Sequence, residues 1–257
     1  MSMTMVEIEK QLKDLRLSGM LATLESRALQ ASQCNAVLVE ALSWLLQDEM
    51  DHRSSNLRQR RFKASGLTEM KTLTEFDWSY NPKLPKREIY ELVTAKFIQN
   101  GEHALLIGAP GTGKSHIAKT IAHASIQLFQ KTVYREANVF FEDMFEAEQT
   151  GKTKKVLKLF SEADLLIIDD LFLRKKMPSD AADYLLDIII NRYSKRKSII
   201  ITSNRPIEDW GLLLKDNAAS SAILDRLLHH GHLLKFEGKS YRLKEAAKRL
   251  SQMKDKK

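Results

Sequence analysis

Residues 104–115 carry the densest chemistry in the chain, reading Ala-Leu-Leu-Ile-Gly-Ala-Pro-Gly-Thr-Gly-Lys-Ser. An apolar run ending at Ile107 leads into Gly108, Ala109, Pro110, Gly111, Thr112, Gly113, Lys114 and Ser115, which satisfies G-x-x-x-x-G-K-[ST] at every fixed position. The glycines let the backbone turn tightly and bring its N–H groups against phosphate oxygens, where a side chain would collide. A helix beginning at this loop, through His116, points its positive end at the same anion. Lys114 adds a point charge for β- and γ-phosphates, and the Ser115 hydroxyl is a ligand for the accompanying Mg²⁺. A glycine-rich run is often only a turn, but a strand-like flank before it and a helical flank after it favour a nucleoside triphosphate site.

Two further stretches have the types needed to complete it. Leu165-Leu-Ile-Ile-Asp169-Asp170 sets two carboxylates where an apolar strand emerges. Asp169 suits Mg²⁺ held through its water shell, and Asp170 the γ-phosphate side. Ile199-Ile-Ile-Thr202-Ser203-Asn204-Arg205 repeats the arrangement with neutral polar groups, and the Asn204 amide suits orienting water beside a γ-phosphate.

The elements that must position these groups are legible in outline. Strand-like runs at 104–107, 132–135, 165–168, 199–202 and 233–236 alternate with helical patterns, which predicts an α/β fold with a parallel five-stranded sheet between helices. Ligands then lie at the carboxyl ends of the strands. Ahead of this, residues 1–70 have apolar positions at helical spacing, and Gly19 interrupts the pattern. A helix is expected from about Ala36, capped by Asn35, and another from about Arg87 to Gln99. The reading is a helical N-terminal domain at 1–70, a linker at 71–88 containing Phe76, Trp78 and Tyr80, and a nucleotide-binding α/β domain at 89–257. Those aromatics could stack on a base, but more simply pin the linker to a domain.

With 43% hydrophobic residues the 257-residue chain can fill a core, and its net charge of +8 points to an anionic partner. A single cysteine, Cys34, excludes an internal disulfide and suits a reducing compartment. No run is long and apolar enough to span a membrane, so a cytoplasmic bacterial protein with no membrane partner is expected. Arg53, Arg58, Arg60, Arg61 and Lys63 place five cations in eleven residues with no acid among them. Lys152, Lys154 and Lys155 form a second cluster, residues 174–176 and 195–197 two more, and the last nineteen residues are basic again. Each could be a solvated face. As nucleic-acid contacts they would be phosphate-led and weakly sequence-selective.

The three strand ends together resemble the AAA+ ATPases. Phe76-Asp-Trp-Ser-Tyr, the phosphate loop with its flanks, Ile201-Thr-Ser-Asn-Arg-Pro and Ser221-Ala-Ile-Leu-Asp-Arg-Leu-Leu-His-His-Gly resemble, more narrowly, the IstB-like transposition helper ATPases of bacterial insertion sequences. DnaC-like helicase loaders share the core motifs. The resemblance implies ATP with Mg²⁺ as cofactors, Lys114, Asp169, Asp170 and Asn204 in hydrolysis, and Arg226 reaching a neighbouring subunit's site. Read alone, Arg226 would rather form a structural ion pair with Asp225 or with another helix. Arg192 is a second candidate for an intersubunit contact, and Arg242 a candidate sensor. The partners implied are duplex DNA, further copies of the chain through the AAA+ core, and a cognate transposase. One departure is Asp170, where many AAA+ ATPases carry Glu.

Overall fold

The computed structural model describes residues 4–173 and 177–254. The basic residues at 174–176 and at 256 and 257 lie outside them. The chain forms two compact units, Met1–Arg60 and Arg61–Lys257.

The first unit holds α1 (Met5–Asp14), α2 (Ser18–Cys34) and most of α3 (Leu38–Ser65). Leu12, Met20 and Leu24 form its small core, with Ile8, Leu17, Leu21 and Leu45 packed against them. The break between the first two helices falls at Arg16, with φ +59°, rather than at Gly19. Gly19 instead permits close approach: a Cβ there would lie 2.7 Å from the Asp48 carbonyl oxygen and the Glu49 Cα. Through that gap the Glu49 carboxylate accepts the Gly19 and Met20 N–H groups at 2.6 and 3.2 Å, capping α2 where Leu17 offers no side-chain cap. Asn35 is not the cap of α3. It terminates α2 in the left-handed conformation, φ +50°, which Asn tolerates, and α3 begins only at Leu38.

In the second unit, α4 (Lys86–Val93), α5 (Lys96–Asn100), β1 (His103–Gly108), α6 (Lys114–Gln127), β2 (Thr132–Glu136), α7 (Ala137–Gln149), α8 (Thr153–Glu162), β3 (Leu165–Leu171), α9 (Ala181–Ser194), β4 (Ser198–Ser203), α10 (Trp210–Leu214), α11 (Asn217–His229), β5 (Gly231–Phe236) and α12 (Tyr241–Lys254) follow in order. The five strands are parallel in the order β2-β3-β4-β1-β5. Both faces are covered, which is why the strands read as unbroken apolar runs. Leu105, Leu166, Ile168, Ile199 and Ile201 face one core with α7, α9 and α11; Ala104, Leu106, Leu165, Ile167 and Ile200 face the other with α4 and α6. The single helix expected over 87–99 is two helices, because Ala95 turns left-handed at φ +57° and swings Phe97 and Ile98 inward beside Ile89 and Leu92. Residues 71–88 belong to this unit: Leu84 is buried, and Leu73, Phe76 and Trp78 pack on the second core.

Candidate nucleotide site

At the carboxyl end of β1 the chain turns through Gly108–Gly113 and enters α6 with its N-terminus open to a cavity of about 190 Å³. Gly111 and Gly113 stand at φ +76° and +106°. A Cβ at Gly113 would come within 2.6 Å of the Phe76 ring, and one at Gly111 within 2.2 Å of Ser240 Oγ, so both conformation and space require glycine. The Thr112 hydroxyl donates to the Ala109 carbonyl at 2.8 Å and closes the loop on itself. Loop residues from Pro110 to His116 line the cavity, opposite Asp170 and Asn204.

Lys114 is 4% exposed and its ammonium donates to the Gly108 and Ala109 carbonyls at 2.7 and 2.9 Å. Burial pulls its pKa down, and the charges of Asp170 and Asp169 oppose that. The lysine thus rests on its own loop, in the wall of the cavity.

Asp169 is 2% exposed at the end of β3. Its Oδ2 accepts the Tyr134 hydroxyl at 2.5 Å and its Oδ1 the Thr202 hydroxyl, so β2 and β4 hold it from either side. Asp170 stands at φ +56°, where the β3–β4 register skips between Ile168 and Leu171. That twist turns it into the cavity while its N–H donates to Thr202 Oγ1 at 2.8 Å. Burial raises the Asp170 pKa, the neighbouring Asp169 raises it further, and Lys114 and Arg242 work the other way. Asn204 Oδ1 is buried with no hydrogen-bond partner among the described residues, beside this carboxylate in the cavity wall.

The donor set fits a triphosphate with Mg²⁺. Amides at a helix N-terminus with Lys114 and Arg242 suit phosphate, and the Ser115 hydroxyl in the cavity wall is the hard oxygen ligand Mg²⁺ prefers, while Asp169, buried beside Asp170 and not itself among the lining residues, suits contact through the ion's water shell. The orphaned Asn204 oxygen is an acceptor awaiting a partner. The aromatic strap forms the rest of the wall: Phe76, Tyr80 and Asn81 line the cavity with Tyr241 and Arg242 of α12. The strap is fastened to the segment leading into α12 by Asn81, which pairs with both the N–H and the carbonyl of Lys239 at 2.9 and 3.0 Å, and by Tyr80, which donates to the Ser240 carbonyl, while Asp77 pairs with Lys244 of α12 itself. Of the three aromatics, Phe76 and Tyr80 face the cavity, whereas Trp78 stacks on Tyr90. His116 lines the cavity edge and its ring bonds the Thr72 carbonyl at 3.0 Å.

Two arginines lie elsewhere. Arg192 is fully buried, its guanidinium bonded to the Phe160, Ser198 and Asp164 carbonyls. It ties α8, β4 and the turn before β3 together, so an intersubunit contact is excluded by burial. That burial draws its pKa to about 9. Arg226, on α11, donates to the Ala222 carbonyl at 2.8 Å and is absent from the cavity lining of its own chain. Of the basic residues, Arg60, Lys63, Lys152, Lys154 and Lys155 are exposed and Arg58 is half-buried. Arg61 is half-buried with one guanidinium nitrogen fully so, and its charge acts on Asp164. Motif reasoning missed Tyr134, Asn81 and Tyr241: Tyr134 stands inside a strand-like run, and Asn81 and Tyr241, though next to Tyr80 and Arg242 in sequence, reach the cavity only through contacts the sequence does not show.

A parallel sheet ordered 2-3-4-1-5, with the phosphate loop after β1, paired acids near the end of β3 and a polar amide after β4, defines an AAA+ P-loop nucleotide-binding core. The same fold occurs in the crystal structure of the DnaC helicase loader, with TM-score 0.52 and 22% identity over 69% of this chain and 99% of that one. It occurs also in AMPPCP-bound DnaA from Aquifex aeolicus, with TM-score 0.55 and 23% identity over 73% and 56%. Residues 10–249 match the family described as IstB-like ATP binding protein, and the chain belongs to it. The ATP-binding protein of insertion sequence IS5376 from Geobacillus stearothermophilus is 36% identical over 94% of this chain and 95% of its own length. That of insertion sequence IS21 from Pseudomonas aeruginosa is 31% identical over 95% and 91%. Among the described residues no helix is long and apolar enough to cross a membrane.

Proposed function

We propose that this protein is an ATP-regulated DNA-binding helper of insertion-sequence transposition, an ATPase that assembles on duplex target DNA, deforms it and recruits a separate transposase. The observation carrying this reading is the near end-to-end relation to insertion-sequence ATP-binding proteins, which extends beyond the nucleotide core through the helical unit.

In this reading Lys114 and the amides opening α6 bind the β- and γ-phosphates, and Ser115 and Asp169 hold Mg²⁺, which neutralises phosphate charge. Asp170 orients the attacking water and takes its proton, and Asn204 fixes that water or reports the γ-phosphate. Arg226 is supplied by the next subunit, in keeping with its absence from its own cavity. Beside Asp170 a second cavity, rimmed by Glu136 and Glu142, would meet such an incoming cation with opposite charge. Arg58, Arg60 and Lys63 on α3, with Lys152, Lys154 and Lys155 at the start of α8, are the surface cations proposed for DNA phosphates. Arg61, turned toward Asp164, contributes less.

The deciding measurement compares duplex and single-stranded DNA of equal length, with ATP and Mg²⁺, while recording particle size. ATP-dependent growth of large assemblies on duplex supports the helper. The fold shared with the DnaC loader favours a second reading, a helicase loader, and preference for single strands without such growth would replace the first by it.

A further inference from the structure

Tyr134 sits in β2 opposite Ile167, two residues before the position opposite Asp169. Two residues of strand span about 6.6 Å. Only a long side chain ending in a donor can cover that distance along the neighbouring strand, and the phenol does so, reaching Asp169 Oδ2 at 2.5 Å. Thr202, from β4 on the other flank, donates to Oδ1. The three side chains project from adjacent strands onto the face covered by α6, the helix that opens at the phosphate loop. A carboxylate has about four lone-pair directions, and here one on each oxygen is taken by a neighbouring strand. Rotation of the carboxyl group about its own axis would break both bonds.

Tyr134 is 5% exposed, and its hydroxyl donates to the Asp169 carboxylate inside the core. Lys119 stands over the ring, 5.8 Å from its centroid, and is itself paired with Glu69. A phenylalanine would fill the same space in this apolar core, so the hydroxyl itself does something that packing does not.

We propose that Tyr134 is a positioning residue for Asp169: its hydroxyl fixes the orientation in which that carboxylate presents its free lone pairs to the hydrated Mg²⁺ of a bound nucleotide. The inference rests on the nucleotide reading of the site. Donors behind a metal-holding carboxylate set its direction and basicity, and their loss typically costs 10–100-fold in metal affinity.

The test titrates Mg²⁺ against binding of a fluorescent, non-hydrolysable ATP analogue, in the full chain and in Tyr134→Phe. The Mg²⁺ concentration for half-maximal enhancement of binding rises about tenfold in the variant. Affinity for the analogue in EDTA stays within about twofold, because the phosphate loop is untouched. A merely structural tyrosine would shift both affinities together or neither, and either result overturns the proposal. Thr202→Val, which removes the donor to the other oxygen, moves the Mg²⁺ requirement in the same direction and keeps the test open should Tyr134→Phe fold poorly. A parent protein without Mg²⁺-enhanced binding would overturn the site reading and this inference with it. That outcome is distinct from an unchanged Mg²⁺ requirement measured against a responsive parent.

Discussion

The backbone N–H of Tyr241 donates to the carbonyl of Gly111 at 2.9 Å, so the first residue of the basic C-terminal helix is bonded to the middle of the phosphate loop. The same segment is held by Asn81, and Phe76 stands against Gly113. A ligand in the cavity therefore touches the loop, the aromatic strap and α12 at once.

Asn81→Ala should loosen this clasp without altering any group that meets phosphate. Two hydrogen bonds to the Lys239 backbone are lost, at about 1 kcal/mol each. Nucleotide affinity is expected to fall about tenfold, with Lys114, Asp169 and Asp170 unaffected. Isothermal titration with ADP checks this, and unchanged affinity would show that the clasp does not shape the cavity.

Lys114→Ala removes the ammonium that rests on the Gly108 and Ala109 carbonyls. Because burial already opposes that charge, the unliganded variant should melt within a few degrees of the parent. On the proposed function ATP raises the parent's melting temperature and drives its assembly on DNA, and both effects should vanish in the variant. Retention of either would place the phosphates elsewhere.

These two variants also mark what the sequence could and could not convey. The parallel sheet was legible, as was the convergence of the phosphate loop, Asp170 and Asn204 on one cavity, because each is a local pattern: fixed spacing after a strand, or an apolar run ending in polar groups. Arg192 was misread because an arginine in Ile190-Asn191-Arg192-Tyr193 looks the same whether it faces solvent or three buried carbonyls. Asn35 carried a helix-cap signature that serves the end of α2 as readily as the start of α3. Asn81 and Tyr134 act across 158 and 35 residues of separation, and contacts of that range leave no mark on local periodicity.

Arg226→Ala should leave nucleotide binding intact and abolish turnover by the assembled protein, as loss of a transition-state arginine costs about 10³-fold or more. If Arg226 acts on a neighbour, mixing Arg226→Ala with Lys114→Ala should restore part of the activity, since each supplies what the other lacks. Phosphate release on mixing reads this directly. No recovery at any ratio would return Arg226 to a structural role on α11.

Acid should weaken the helical unit through Asp48. Hydrogen bonds from the Arg27 guanidinium, with smaller help from Thr23, hold its pKa at about 2, against an ordinary 3.8. The folded value lies below the unfolded one, so the stabilisation is fully present above pH 3.8 and is lost as pH falls toward 2. Asp48→Asn should flatten that limb of an acid titration followed by circular dichroism, and an unchanged acid limb would assign the loss to other carboxylates.

Asp170 combines two unfavourable conditions, a left-handed backbone at φ +56° and a buried carboxylate whose pKa is raised by burial and by Asp169. Asp and Asn tolerate that backbone better than longer side chains do, because a short polar group can bond locally. Glutamate, common here in AAA+ enzymes, would suit a position with ordinary strand geometry; at this register skip aspartate fits the backbone and still reaches the cavity. Asp170→Glu is therefore expected to lower stability by about 1 kcal/mol, a few degrees in melting temperature, without raising the turnover rate. Asp170→Asn should do the opposite to stability. Since the folded-state pKa is raised, the aspartate's destabilisation grows as pH rises through that value, and removing the charge stabilises the protein at neutral pH while ending hydrolysis. Melting curves and phosphate release on the two variants separate the contributions. A glutamate variant both as stable as the parent and faster would mean that the left-handed turn at Asp170 does not govern which acid this position takes.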